Sequence, residues 1–207
     1  MSIMISDSFD VNMTDYVLSE SNVLIIRRFL NHHQCNHIIN EATCLQIDKV
    51  STPQWHLDNF VSTWQDDSKL AYYRLADPES LGSPHIAECY RKMKDCIHSI
   101  RERNSQVIID DTGHRYHLEL LHYREHDYFG KHTHEYQPQL VGLILLLSGI
   151  NIDYEAGGTV FYGTDGIIDI NDHAGKGDLI IFRYDMPHEV TKVVGKQGRW
   201  VAVLPYY

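Results

Sequence analysis

Between Tyr116 and Leu204 the hydrophobic positions fall into short runs broken by turn residues, which predicts strands. The runs are Tyr116–Arg124, Phe129–His134, Leu140–Leu147, Thr159–Tyr162, Ile167–Ile170, Leu179–Tyr184, Glu189–Val194 and Arg199–Leu204. Asp111-Thr112-Gly113 precedes them, and Gly157-Gly158, Asp165-Gly166, Gly175-Lys176-Gly177-Asp178 and Gly195 to Gly198 separate several of them. Leu140–Leu147, the longest apolar run, has the length of a buried strand.

The N-terminal part follows a different period. Val23–Ile26 is a short β-branched run, and Phe29-Leu30 closes it. Asn31 with Gln34 fits a capping box opening a helix through about Ala42, with Cys35, Ile38 and Ile39 as its apolar stripe. Ser83-Pro84 reads as an N-cap followed by proline at the first helical position. Ile86, Tyr90, Met93, Ile97 and Ile100 then recur at spacings of 4, 3, 4 and 3, the stripe of a helix packed on a sheet. Residues 50–81, with Pro53, Trp55, Trp64, Tyr72, Tyr73 and Pro78 among polar neighbours, predict irregular structure with one short strand. Residues 1–20 predict a loose lead-in.

Eight short strands after two helices predict an α+β, mainly β chain. The expected architecture is a double-stranded β-helix core, jelly-roll or cupin-like, with the N-terminal helices packed on one sheet. One domain over residues 1–207 is expected, with residues 21–110 helical and irregular and 111–207 forming the barrel. No internal repeat interrupts this reading.

Composition narrows the function without naming it. A formal net charge of −10 argues against a partner gripped through nucleic-acid phosphates. Cys35, Cys44, Cys89 and Cys96 show no CxxC pairing and read as reduced, mostly buried thiols of a cytoplasmic protein. The first residues lack the basic and apolar regions of a secretory signal, and no apolar run reaches the length of a membrane span, so no membrane role is expected.

The candidate chemistry centres on His132-Thr133-His134 and on His188. On a strand, residues i and i+2 share a face, so two imidazoles would point the same way. A third arriving from a distant strand would complete one face of a metal's coordination shell. By itself HxH is weak, since fourteen histidines in this chain give roughly one such pair by accident. Its context is more informative. Tyr123 and Gly130 precede it, and Gly157-Gly158-Thr159-Val160-Phe161, Gly175 to Phe182, Pro187-His188-Glu189-Val190 and Gly198-Arg199-Trp200 follow in order.

That ordered set, over roughly residues 116–204 and with the Val23–Ala42 opening, resembles the prolyl-4-hydroxylase-like branch of the 2-oxoglutarate/Fe(II)-dependent dioxygenases. Tyr123, His132, His188 and Arg199 match their counterparts. The resemblance implies a cytoplasmic oxidoreductase using Fe(II), 2-oxoglutarate and O₂, with ascorbate as a candidate accessory reductant. It assigns His132 and His188 to iron, and Arg199 and Tyr123 to the distal carboxylate of 2-oxoglutarate; no catalytic residue apart from the metal ligands is implied.

Position 134 departs from the pattern, which expects aspartate or glutamate there. Three outcomes are open: His134 itself ligates, Glu135 ligates through a bulge in the strand, or the metal is weak or absent. A neutral imidazole in place of a carboxylate lowers iron affinity and also suits zinc, copper and nickel. In this fold the irregular N-terminal stretch covers the barrel mouth, making Trp55, His56, Tyr73 and Arg74 candidate substrate contacts; the plainer alternative is that they pack the helices. The expected function is hydroxylation of a small molecule or a peptidyl residue. The rivals are a three-histidine dioxygenase that does not use 2-oxoglutarate, and a catalytically silent barrel that binds a ligand or partner.

Overall fold

Alternation along two paired strands reveals the layering of the chain. Strands β5 (Leu118–Tyr123) and β12 (Arg199–Leu204) pair antiparallel, with Tyr123 opposite Arg199 and His122 opposite Trp200. Arg199 reaches a residue of a second sheet, whereas Trp200 and His122 line a pocket with Asn36, Ile39, Asn40 and Thr43 of a helix. One face of this sheet therefore meets another sheet, and the other face meets helices.

The structure is a computed structural model, describing residues 2–8, 22–44, 68–69, 71–75, 78–103, 118–133, 141–164, 166–183 and 185–204. The remaining strands are β1 (Ser2–Ser6), β2 (Asn22–Ile26), β3 (Ser68–Lys69), β4 (Ala71–Leu75), β6 (Tyr128–His132), β7 (Val141–Leu146), β8 (Thr159–Gly163), β9 (Gly166–Asp169), β10 (Leu179–Arg183) and β11 (His188–Val190). The helices are α1 (His32–Cys44) and α2 (Pro84–Arg103). Among the described residues the strands form a seven-stranded sheet in the order β1-β2-β10-β7-β12-β5-β4 and a five-stranded sheet in the order β3-β6-β11-β8-β9. Apart from the parallel pair β1 and β2, the strand pairings are antiparallel.

Local chemistry accounts for both helices. Asn31 N–H donates to Gln34 Oε1 (3.0 Å) and Gln34 N–H donates to Asn31 Oδ1 (2.9 Å), a reciprocal cap at the start of α1. Pro84 opens α2, and Ile86, Tyr90, Met93, Ile97 and Ile100 are all buried in one core with Leu24, Leu120, Leu145 and Ala202 of the large sheet. Cys35, Cys89 and Cys96 are buried free thiols, and Cys44 is exposed. No helix is long and apolar enough to cross a membrane among the described residues.

The turn before β10 ties the helical layer to the sheet. Gly177 has φ +90°, and a Cβ there would stand 2.1 Å from Leu30 O. Only glycine permits that approach, and Leu30 N–H donates to Gly177 O across it (3.0 Å). Beside it, Lys176 Nζ is buried against Asp153 Oδ2 (3.0 Å) and Asn36 Oδ1 (2.8 Å).

Three expectations need correction. The lead-in is ordered at its start: Ser2–Ser6 pairs in register with Asn22–Ile26, where Ile3 and Met4 pack against the core and the backbone satisfies the outer edge of β2. Residues 50–81 were expected to hold one strand. Among the described residues of that stretch two pieces form, β3 on β6 and β4 on β5, which belong to different sheets. The strand expected at Glu189–Val194 begins earlier and stops sooner, as β11. Beyond it Val193 N–H donates to Asp127 O and Val194 N–H to Ala156 O, irregular pairings that pattern alone does not forecast. Asp111-Thr112-Gly113 lies outside the described residues.

Candidate metal and co-substrate centre

Strand register brings the two distant imidazoles together. His132 ends β6, His188 begins β11, and the two are direct partners across the antiparallel pair. Their ring centroids are 4.2 Å apart with planes tilted by 58°, and both residues are buried. His132 Nδ1 lies 2.8 Å from Gly130 O, and His188 Nδ1 lies 2.7 Å from Met186 O. A carbonyl only accepts, so each Nδ1 carries the proton and donates. In the neutral form the lone pair of each ring then sits on Nε2, the arrangement that orients a metal-ligating histidine.

Burial pushes His188 down to about 4, against a smaller upward pull from its bond to Met186. At neutral pH it is thus a neutral imidazole, the form that can ligate a metal. Aromatic rings wall this pair. Phe182 meets His188 edge-on at 5.2 Å, Phe161 lies 5.6 Å from it, and Phe129 meets His132 edge-on at 4.3 Å.

A third donor is needed for a metal face. Among the described residues no group of three His, Cys, Asp or Glu side chains is gathered as one ion would require. His134 and Glu135, the two candidates for that position, lie outside the described residues.

The guanidinium of Arg199 is buried and only partly satisfied. It is 1% exposed, and its Nη2 donates across the gap between the sheets to Thr159 Oγ1 of β8 (2.7 Å). Its Nε and Nη1 are buried with no hydrogen-bond partner. A buried cation with two unmet donors is costly, and a planar fork of N–H groups is the natural complement of a carboxylate. Tyr123 is its partner on β5, with the Arg199 Cζ 5.6 Å from the centre of the phenol ring. Burial drives the Tyr123 phenol strongly upward, with Arg199 opposing and Glu119 and Asp127 reinforcing, so the hydroxyl keeps its proton and remains a donor. Gly198, at φ +71°, permits the bend that leads into Arg199, since a Cβ there would stand 2.4 Å from Tyr123 O.

The remaining candidates divide. Tyr73 and Arg74 fall on β4, where their backbones pair with Leu120 and Glu119 at the edge of the large sheet. Trp55 and His56 lie outside the described residues. Thr159 was passed over as a functional residue in the sequence, although it directly follows the Gly157-Gly158 turn. Its one sequence signal was an alcohol opening a strand directly after that turn; its place across from Arg199 arises only from the stacking of the two sheets.

With this geometry in view, comparison with solved structures is informative about the fold. The chain superposes on a prolyl-4-hydroxylase from Pseudomonas putida with a TM-score of 0.67 at 12% identity, covering 94% of this chain and 96% of that one. A prolyl hydroxylase from Trichoplax adhaerens, solved with a hypoxia inducible factor oxygen degradation domain peptide fragment, gives 0.64 at 13% identity over 95% and 90%. A viral collagen prolyl hydroxylase from Paramecium bursaria Chlorella virus-1, solved as its 2OG complex, gives 0.55 at 15% identity over 87% and 93%. The chain therefore has the fold of these prolyl hydroxylases. No family model matches the sequence, and no curated protein matches it.

Proposed function

We propose that this chain is a non-haem iron, 2-oxoglutarate-dependent oxygenase, a single domain over residues 1–207 on a jelly-roll core. The observation that carries the reading is Arg199. A sealed guanidinium, held by one neutral hydroxyl and retaining two unmet N–H donors, is built to receive an anion from within the cup. The distal carboxylate of 2-oxoglutarate fits it, with the protonated Tyr123 phenol as a further donor.

His132 and His188 would hold the iron, with His134 as third donor and Glu135 as the alternative; the Nδ1-tethered imidazoles of His132 and His188 suit a divalent transition metal. When bound, Fe(II) supplies with O₂ the oxidising chemistry that side chains lack, ascorbate serving as an accessory reductant. The Gly130 and Met186 carbonyls hold the imidazoles in one tautomer. Phe129, Phe161 and Phe182 keep bulk water from the reacting space. Arg199 and Tyr123 orient the co-substrate by its far end. No further acid or base is needed beside them.

The substrate is a small molecule or a peptidyl residue, entering past Trp55, His56, Tyr73 and Arg74. A peptidyl substrate draws support from the Trichoplax neighbour, which was solved with a peptide. Arg199 favours 2-oxoglutarate over a three-histidine dioxygenase without it, because nothing in the latter requires a cation at that place. Iron bound per chain and succinate formed from 2-oxoglutarate under air test the proposal together. Iron with no succinate would leave the rival dioxygenase, and neither would leave a silent barrel.

A further inference from the structure

A second pair of imidazoles lies in the helical layer, on the other side of the large sheet from the first. His33 and His37 are one turn apart on α1, the spacing that sets two histidines on one helix face to share a zinc ion. Their Nε2 atoms are 3.2 Å apart, with ring centroids at 4.2 Å and planes at 76°. Two nitrogens each about 2.05 Å from a tetrahedral zinc stand about 3.3 Å apart, so the observed separation is close to the bite of a single ion. Without metal the same distance accommodates one Nε2–H donating to the other ring.

The pair is held in place by contacts from the neighbouring helix. Glu41, one turn beyond His37, accepts from the backbone N–H groups of His85 (3.1 Å) and Ile86 (3.0 Å), capping the start of α2. That cap brings the His85 ring flat against His37, with centroids 4.4 Å apart and planes 17° apart. A ring stacked in this way cannot aim its nitrogens at the ion its neighbour holds. His85 therefore positions His37 and is no ligand, which agrees with the lack of any three-donor group among the described residues. Both ligating side chains can be reached from solvent, and water would complete the shell.

We propose that His33 and His37 form a bidentate surface site for zinc or a similar borderline transition metal, separate from the His132–His188 centre and independent of the oxygenase reading. The test is titration of the full-length protein with Zn²⁺ alone, comparing wild type with His33→Ala, His37→Ala, His85→Ala and His188→Ala.

Loss of one imidazole should weaken one class of zinc binding by at least about tenfold, leaving any zinc at His188 unchanged. His188→Ala should do the reverse. His85→Ala should weaken the same class as His37→Ala but by less, because it loosens one ring without removing a donor. These positions are outside the core, so circular dichroism should stay the same across the α1 and α2 variants. Zinc binding that is absent in wild type, or unchanged in both His33→Ala and His37→Ala, would overturn the proposal.

Discussion

The two sheets differ in what covers them, and the candidate centre takes one half from each. The seven-stranded sheet lies between the helices and its partner sheet, and β7 is buried along its whole length. A strand covered on both faces reads as a continuous apolar run, as Val141–Leu146 does. The five-stranded sheet shows its outer face to water: Ile167 on β9 is 67% exposed, and β8 ends in half-buried residues. The guanidinium belongs to the doubly covered sheet, and the paired imidazoles to the singly covered one. The buried charge thus stands on the better insulated support. The imidazoles are oriented instead by two backbone carbonyls.

Four substitutions probe this contrast, in decreasing order of effect. Phe182→Ala, on the inner face of the doubly covered sheet, should cost about 3–5 kcal/mol in urea unfolding; a loss below about 1 kcal/mol would mean the two sheets are equally loosely packed. Arg199→Leu should weaken 2-oxoglutarate binding by about a hundredfold in calorimetry. The same variant should leave unfolding stability of the ligand-free protein unchanged or higher, because a buried cation without full partners is removed. A clear destabilisation would show the guanidinium to be structural.

Thr159→Val removes the hydroxyl that aims the guanidinium from the opposite sheet. It should weaken 2-oxoglutarate about tenfold while leaving metal stoichiometry intact, checked by the same titration. Ile167→Thr, on the wet face, should shift stability by no more than about 0.5 kcal/mol; a larger loss would mean that face is covered in solution.

Much of this arrangement could be read from the residues, and unevenly. β12 runs Arg199–Leu204 as its pattern predicts, and α2 buries each residue of its stripe, because apolar period and turn chemistry are local. Arg199 and Tyr123 were legible as candidates, and the register sets them directly opposite each other. Edge pairing was not legible. β1 and the β3–β4 step exist because neighbouring strands offer backbone partners, which a short window of sequence does not encode. Thr159 escaped for a related reason, since its role arises only when two sheets are stacked. His134, on which the ligand set turns, lies outside the described residues.

The single bond from Arg199 to Thr159 has a further consequence. Thr159 is the ladder partner of Val190, two residues along from His188, so the proposed anchor for an acid and the proposed anchor for a cation are joined through one residue. On the proposed function, a dianion held by the guanidinium would be one hydrogen bond and one ladder pair away from the imidazole strand. If one guest altered the other's affinity through that link, thermodynamic reciprocity would make the two effects equal, whichever arrived first.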